Sequence, residues 1–446
     1  SSFFNDRFPQ TITNALSQQT TVVYDHRFGT PSSITDPNLD VISITRDNFG
    51  REISSVLDDG TTITTTYEDC ASGCSQVTWA TPRLKVTTST TNNSVQITPK
   101  QITYLDALGR VVLEESEAFV SSDGMIRVQY HYDMNGRLNK QSLPYFSIGG
   151  SPKYVETQFD PKDRPVVVTR PDGSTVSSEF YASSCNCLFT NNHAVETVES
   201  STGNKKRTVL DHRGRLARTI DGLGSTEEVT TNYAYTIRNQ LDTVTVDGTL
   251  VADVDYDHVG KREKIWESNS GDTEFEYYSP GWLRKATDNN NDETFFTYDA
   301  LGRLTSRKDG YGSGSEVTNT FSWDTAANGI GRLKSESNGT EFSQTYTYDS
   351  HGRLDTITAT VNVTGFSDNG PYVIDYGYDS NGRLSTVAYP NITATNVFNS
   401  RGYLLQVKDG SSVLHEYTGI DAFGNITAEE FGNGKQTARN FDPNTG

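Results

Sequence analysis

Four cysteines, a recurring acid-base pentad and one acidic triplet are the residue groups in this sequence whose types could do chemistry. Cys70-x3-Cys74 and Cys185-x-Cys187 would together offer four thiolates, the donor number of a structural zinc site. Their spacing fits no common zinc module, and cysteines of a secreted chain oxidise, so disulfide bonding is the favoured reading, with metal and free thiols as the alternatives. A bridge within Cys185-Asn186-Cys187 would be strained by the short Cα separation. Pairing between the two segments, or Cys70 with Cys74 beside a strained second bridge, both stay open.

The pentad is D-x-x-G-R. It stands intact at Asp47, Gly50, Arg51; Asp106, Gly109, Arg110; Asp133, Gly136, Arg137; Asp211, Gly214, Arg215; Asp299, Gly302, Arg303; Asp349, Gly352, Arg353; and Asp379, Gly382, Arg383. An acid beside a base resembles catalytic material. An enzyme needs one site, however, and this one recurs in every unit, so the expected role is structural. Asp accepts from backbone N–H groups of a turn, and Arg pairs with a carboxylate or stacks on a tyrosine of the next repeat. Asp288, Asn290 and Asp292 alternate like the first three ligands of a calcium loop, but Glu293 stands where that loop needs glycine and no bidentate glutamate closes it. They read as an acidic hairpin tip. Gly310-Tyr311-Gly312-Ser313-Gly314 leads into a strand-like run, whereas a phosphate loop needs a helix after it. No G-x-S-x-G occurs, and none of the seven histidines has an evident nucleophile partner. No catalytic residue, metal or cofactor is assigned, and the chain is expected not to be an enzyme.

The element that positions each pentad is a β-hairpin. In Tyr346-Thr347-Tyr348-Asp349-Ser350-His351-Gly352-Arg353-Leu354 the two tyrosines share one face of a strand. Asp349 opens a turn, Gly352 takes the positive φ of a type I turn closed by a G1 bulge, and Arg353-Leu354 start the returning strand. Degenerate copies follow Tyr256-Asp257, Tyr278-Ser279, Trp323-Asp324, Phe398-Asn399 and Ile420-Asp421. With the residue before the Asp-like position as a marker, Tyr235, Tyr256, Tyr278 and Tyr298 are 21, 22 and 20 residues apart. A period of that length signals a repeat architecture.

This pattern resembles the YD-repeat, or Rhs, family, which includes bacterial polymorphic toxins, the shell-forming components of insecticidal toxin complexes and the teneurin adhesion receptors. The resemblance runs from Tyr24-Asp25 to Phe441-Asp442. It implies an all-β fold of hairpins joined into a long spiralling antiparallel sheet, a hollow shell or superhelical ribbon with almost no helix. It implies encapsulation or presentation of a polypeptide cargo in toxin delivery or interbacterial competition, with neighbouring repeats or a C-terminal toxin of the same longer chain as partners. Members that release a cargo often carry an autoproteolytic aspartate motif after the repeats, and no residue here matches it. The alternatives are an adhesion module, with Trp79, Trp266, Trp282 or Trp323 stacking on a cell-surface glycan, and an extracellular filament self-associating through open sheet edges.

Composition sits well with a sheet wetted on both faces. Hydrophobic residues are 33% of the 446 and mean hydropathy is −0.59, low for a thick dry core, yet 23 Tyr and 20 Phe among many Thr and Val favour strands over disorder. A net charge of −19 argues against binding nucleic acid through its phosphates. No apolar run reaches the roughly 18 residues of a transmembrane segment, and a secreted or cell-surface location is expected. Residues 1–21 read as a lead-in or the end of an upstream repeat, and 22–446 as the repeat region. Cysteine-bearing insertions fall at about 58–100 and 171–208. The chain is expected to be a fragment of a longer protein. Sequons at Asn92, Asn338, Asn362, Asn391 and Asn425 are expected by chance in a Thr- and Asn-rich sequence.

Overall fold

The computed structural model describes every residue except 1, 2, 5, 6, 71–73, 75, 76, 183–192, 200, 201, 340, 363, 364, 366–369 and 446. Its strands form where β-branched and aromatic residues run between turn residues, and almost every strand pairs antiparallel with its successor. A two-stranded hairpin of Phe3–Phe4 and Phe8–Pro9 precedes one continuous sheet of 38 strands. That sheet starts at Thr11–Thr13, inside the expected lead-in, and ends at Gln436–Ala438. It stays open, because these two terminal strands pair with their inner neighbours and not with each other. Helical structure among the described residues is limited to 3-10 turns such as Ser121–Asp123, and no helix is long and apolar enough to cross a membrane.

The ribbon has two margins. Aromatic-Asp turns lie along one, here the YD margin, and the connections of the other margin vary in length. Between strands Leu241–Val246 and Thr249–Tyr256 the second margin needs two residues, and between Leu216–Asp221 and Val229–Tyr235 it takes seven. On the YD margin the register of Tyr277↔Leu283 puts Tyr278 itself in the Asp slot, so the true marker is Tyr277. Tyr235, Tyr256, Tyr277 and Tyr298 then follow one another at a uniform 21 residues.

The ribbon curls until it meets itself. Asn38 Nδ2 donates to Ile330 O at 3.0 Å, His351 Nδ1 lies 2.9 Å from Asp58 Oδ2, and Lys153 Nζ donates to Asn444 Oδ1 at 2.9 Å. Such partners are 277 to 306 residues apart, which is the length of one circuit. With about two dozen strands per circuit spaced about 4.8 Å apart, the circuit is about 115 Å round and about 37 Å across. Two sheets packed face to face would lie only about 10 Å apart.

Burial agrees with a wall one sheet thick. Ten hydrophobic residues are buried among those described, and four of them, Val77, Tyr104, Val112 and Leu113, form a single cluster. That cluster sits where the loop after strand Thr62–Asp69 folds back over one sheet face. Cys70 and Cys74, bonded to each other, and Trp79 pack against it. The strands of both cysteine-bearing insertions pair as hairpins that open toward the YD margin: Thr62–Asp69 pairs with Leu84–Asn92, and Thr175–Ala182 with His193–Glu199.

Candidate functional site

The repeated unit is itself the site, and its geometry is the same in all seven intact copies. Asp N–H donates to the Arg carbonyl and Gly N–H to the Asp carbonyl, at 2.9 and 3.0 Å in turn 349–353, which is a type I turn with a G1 bulge. The Asp side chain completes it. Asp349 Oδ1 accepts the N–H of His351 at 3.0 Å and of Arg353 at 2.9 Å, while Oδ2 accepts Arg353 Nε at 2.8 Å and Nη2 at 2.7 Å. Hydrogen bonds from Arg137 hold the Asp133 carboxyl below its ordinary pKa, and Arg303 holds Asp324 down at about 2.

Each arginine then reaches the next repeat. Arg51 lies over Tyr67 at 4.1 Å, Arg110 over Tyr132 at 4.3 Å, Arg137 over Phe159 at 4.7 Å and Arg215 over Tyr235 at 4.4 Å. Arg303 lies over Trp323 at 5.1 Å, Arg353 over Tyr378 at 4.1 Å and Arg383 over Phe398 at 4.4 Å. Where that aromatic has a donor, it returns a hydrogen bond to the carbonyl just after the arginine. Tyr132 donates to Val111 O at 2.8 Å, Tyr235 to Leu216 O at 2.8 Å, Trp323 to Leu304 O at 2.8 Å and Tyr378 to Leu354 O at 2.9 Å. An aspartate fixes its own arginine, and the arginine and the next aromatic clasp successive hairpins.

A positive φ is common to all seven pentad glycines, and at Gly352 a close neighbour adds a second demand. Gly352 has φ +69, and a Cβ there would lie 2.1 Å from the Arg332 guanidinium of the preceding repeat. Two further turns of the YD margin lack the glycine and escape the motif. In 160–164, Asp163 takes the slot at φ +62 and its carboxylate receives Arg137 Nη1 at 2.6 Å. Asp160 and Arg164 make the usual ion pair, and Arg164 lies 4.0 Å over Phe180. In 236–240, Asn239 stands at φ +69 and accepts from Arg215 at 3.0 Å. The signal in the sequence was Phe159-Asp160 at the end of a strand-like run.

The other candidates resolve into parts of the wall. Asp288 Oδ1 accepts the N–H groups of Asn290 and Asp292 at 2.9 and 2.8 Å, an ordinary acidic hairpin tip. Among the described residues no three His, Cys, Asp or Glu could hold a metal ion, and Cys185 and Cys187 lie outside those residues. Trp79 Nε1 donates to Tyr130 O at 3.3 Å, and the Trp282 ring lies against Gly302. Asn92 is buried and donates to Asp59 O at 2.9 Å, so its sequon is closed in the folded chain. Asp40 is a carboxyl raised above its ordinary pKa, by burial first and then by Asp36 and Asp58. It sits on the seam between circuits, where Asp58 holds His351.

The fold and the turn together define an antiparallel ribbon of repeated hairpins clasped one to the next. A family model for the RHS repeat matches residues 277–313, which hold turns 278–282 and 299–303. The chain is similar to the solved TcdB2-TccC3 structure at 16% identity, with a TM-score of 0.78, over 98% of this chain and 26% of that one. It is similar to TcdB2-TccC3 without its hypervariable C-terminal region at 14% identity and TM-score 0.77, over 98% and 28%. Against the Photorhabdus luminescens Tc holotoxin pore the figures are 15%, 0.75, 96% and 28%. These likenesses establish the fold, and the chain spans about a quarter of the length of the structures it matches. No curated protein sequence matches it.

Proposed function

We propose that the chain is a non-enzymatic section of a secreted shell that encloses or presents a polypeptide cargo in toxin delivery. The observation that carries this reading is the seam between residues 277 to 306 apart, in a ribbon with hardly any dry core. A sheet that comes full circle without packing face to face surrounds space about 37 Å across, enough for a polypeptide but too wide for side chains to fill. Likeness to the TcdB2-TccC3 structures supports the same role. Enclosure is mechanical, so the clasped hairpins perform it and no reacting group is needed.

Single-particle imaging together with protease protection tests it. A reporter polypeptide fused after Gly446 should survive digestion at least tenfold longer than the free reporter, inside a hollow particle. A solid particle, or a reporter cut at the free rate, would overturn the reading.

A further inference from the structure

The seam shows how one margin of this ribbon sits on the other. Second-circuit YD turns rest on first-circuit tips of the opposite margin. Arg401 Nη1 donates to Ala118 O at 2.6 Å, Tyr403 OH to Glu117 O at 2.8 Å, and Phe119 meets Tyr403 edge-on at 5.6 Å. His351 faces the Asp58 carboxylate. In these contacts Arg401, Tyr403 and His351 of the YD margin meet carbonyls and a carboxylate of the other, while Asn38 and Lys153 of the other margin donate back to Ile330 O and Asn444 Oδ1.

At less than two circuits, much of each margin faces solvent. The first-circuit YD turns hold large apolar residues outward at their tips: Phe49 is 83% exposed, Leu108 77%, Met134 104% and Ile237 94%. In the covered turns the residues at these places, such as Ile330 and Phe423, are half-buried. The middle residues of the first-circuit turns from 47–51 to 299–303 include Lys162, Arg213 and Arg238, all exposed, and a single acid, Asp163, whose carboxylate is paired with Arg137. The uncovered tips of the opposite margin instead carry Asp172, Glu227, Glu228, Asp247, Asp288 and Asp292, all exposed. One open margin is basic and apolar, and the other is acidic.

We infer that these margins bind each other between two copies of the chain, which stack head to tail by repeating the seam contact. Such an interface is heterologous, so it continues into a column rather than closing. Charge complementarity orients the stack and makes it salt-dependent.

Sedimentation velocity of the full chain across concentration and salt, with imaging of the stacked species, tests this. Columns should grow with concentration and weaken as salt rises. Arg213→Glu with Arg238→Glu reverses one margin, and Glu227→Lys with Asp292→Lys reverses the other. Each pair should weaken self-association at least tenfold, and an equal mixture of the two variants should restore stacking. That restoration separates lost complementarity from misfolding. A chain monomeric at every concentration, or association that both reversals leave unchanged, would overturn the inference.

Discussion

Removing the Asp349 carboxylate should loosen one hairpin and leave the rest of the ribbon intact. Asp349→Ala deprives the His351 and Arg353 N–H groups of their acceptor and breaks the twin contact with the Arg353 guanidinium. A neutral hydrogen bond contributes about 1 kcal/mol net and bonds to a charged group about 1.5–3. The pair is about a quarter exposed, and Arg353 keeps its stack on Tyr378, so water and that stack recover part of the loss. The expected cost is about 3 kcal/mol, roughly a 150-fold rise in local opening. Asp349→Asn keeps an oxygen for the two N–H groups but puts an NH2 where Oδ2 accepted from Arg353, so the twin guanidinium contact is lost while the turn bonds stay; with water and the Tyr378 stack recovering part of that, the cost is about 1.4 kcal/mol, or roughly tenfold. Amide hydrogen exchange of strands Phe342–Tyr348 and Leu354–Val361 reads both values. A unit that packs only on its neighbours confines the change to them. Equal effects of Ala and Asn, an Ala effect below about threefold, or loosening as far away as strand Met125–Tyr132 would refute the reasoning.

Three further outcomes follow from the same geometry. Gly352→Ala should cost about 2 kcal/mol, since φ +69 is strained for alanine and Arg332 must move, whereas Asp163→Gly should stay within about 0.5 kcal/mol because strain relief offsets the lost Arg137 contact; thermal melts of the two variants check the contrast. Acid should weaken the ribbon in a defined window. The turn aspartates are depressed when folded, Asp324 to about 2, so their stabilisation is complete above the unfolded value of about 3.9 and is lost as pH falls from there toward 2. Circular dichroism should be flat from pH 7 to 5, and a loss that begins near pH 6 would contradict the assignment. Cys70→Ser opens a five-residue ring worth about 2 kcal/mol, and should free the loop that holds Trp79, seen as a red shift in tryptophan emission.

The hairpins were legible because their turn residues are forced by local geometry. A glycine at positive φ after an aspartate marks a G1 bulge wherever it stands, and Gly352 and its counterparts announce the strands on either side. Asp163 and Asn239 escaped the motif for the same reason, since they meet the φ requirement with a different residue and bind the preceding arginine through their side chains. Tyr278 misled because tyrosine fills the Asp slot right after the true strand-end tyrosine, which only the register resolves. The clasp between Arg353 and Tyr378 could be expected in kind. Its return hydrogen bond to Leu354 O depends on a strand separation that spacing in sequence does not carry. The seam was invisible, because Asn38 and Ile330 or Asp58 and His351 share no motif and are joined only by the curvature of the sheet.

Both margins take in extra residues, each under its own condition. A YD turn must end by handing its arginine to the next aromatic, and the nine-residue turn 324–332 still does so, with Arg332 over Tyr348 at 5.4 Å and Tyr348 OH donating to Leu333 O at 2.6 Å. Across the ribbon a connection runs to two residues or to seven without disturbing any clasp. New sequence can therefore be accepted along either border provided each clasp is still closed, and adding or deleting a whole hairpin changes the girth of the wall without altering how its pieces join. A lineage built on such a fabric can resize its container by duplication alone, and can decorate its rims while the stitches between pieces hold still.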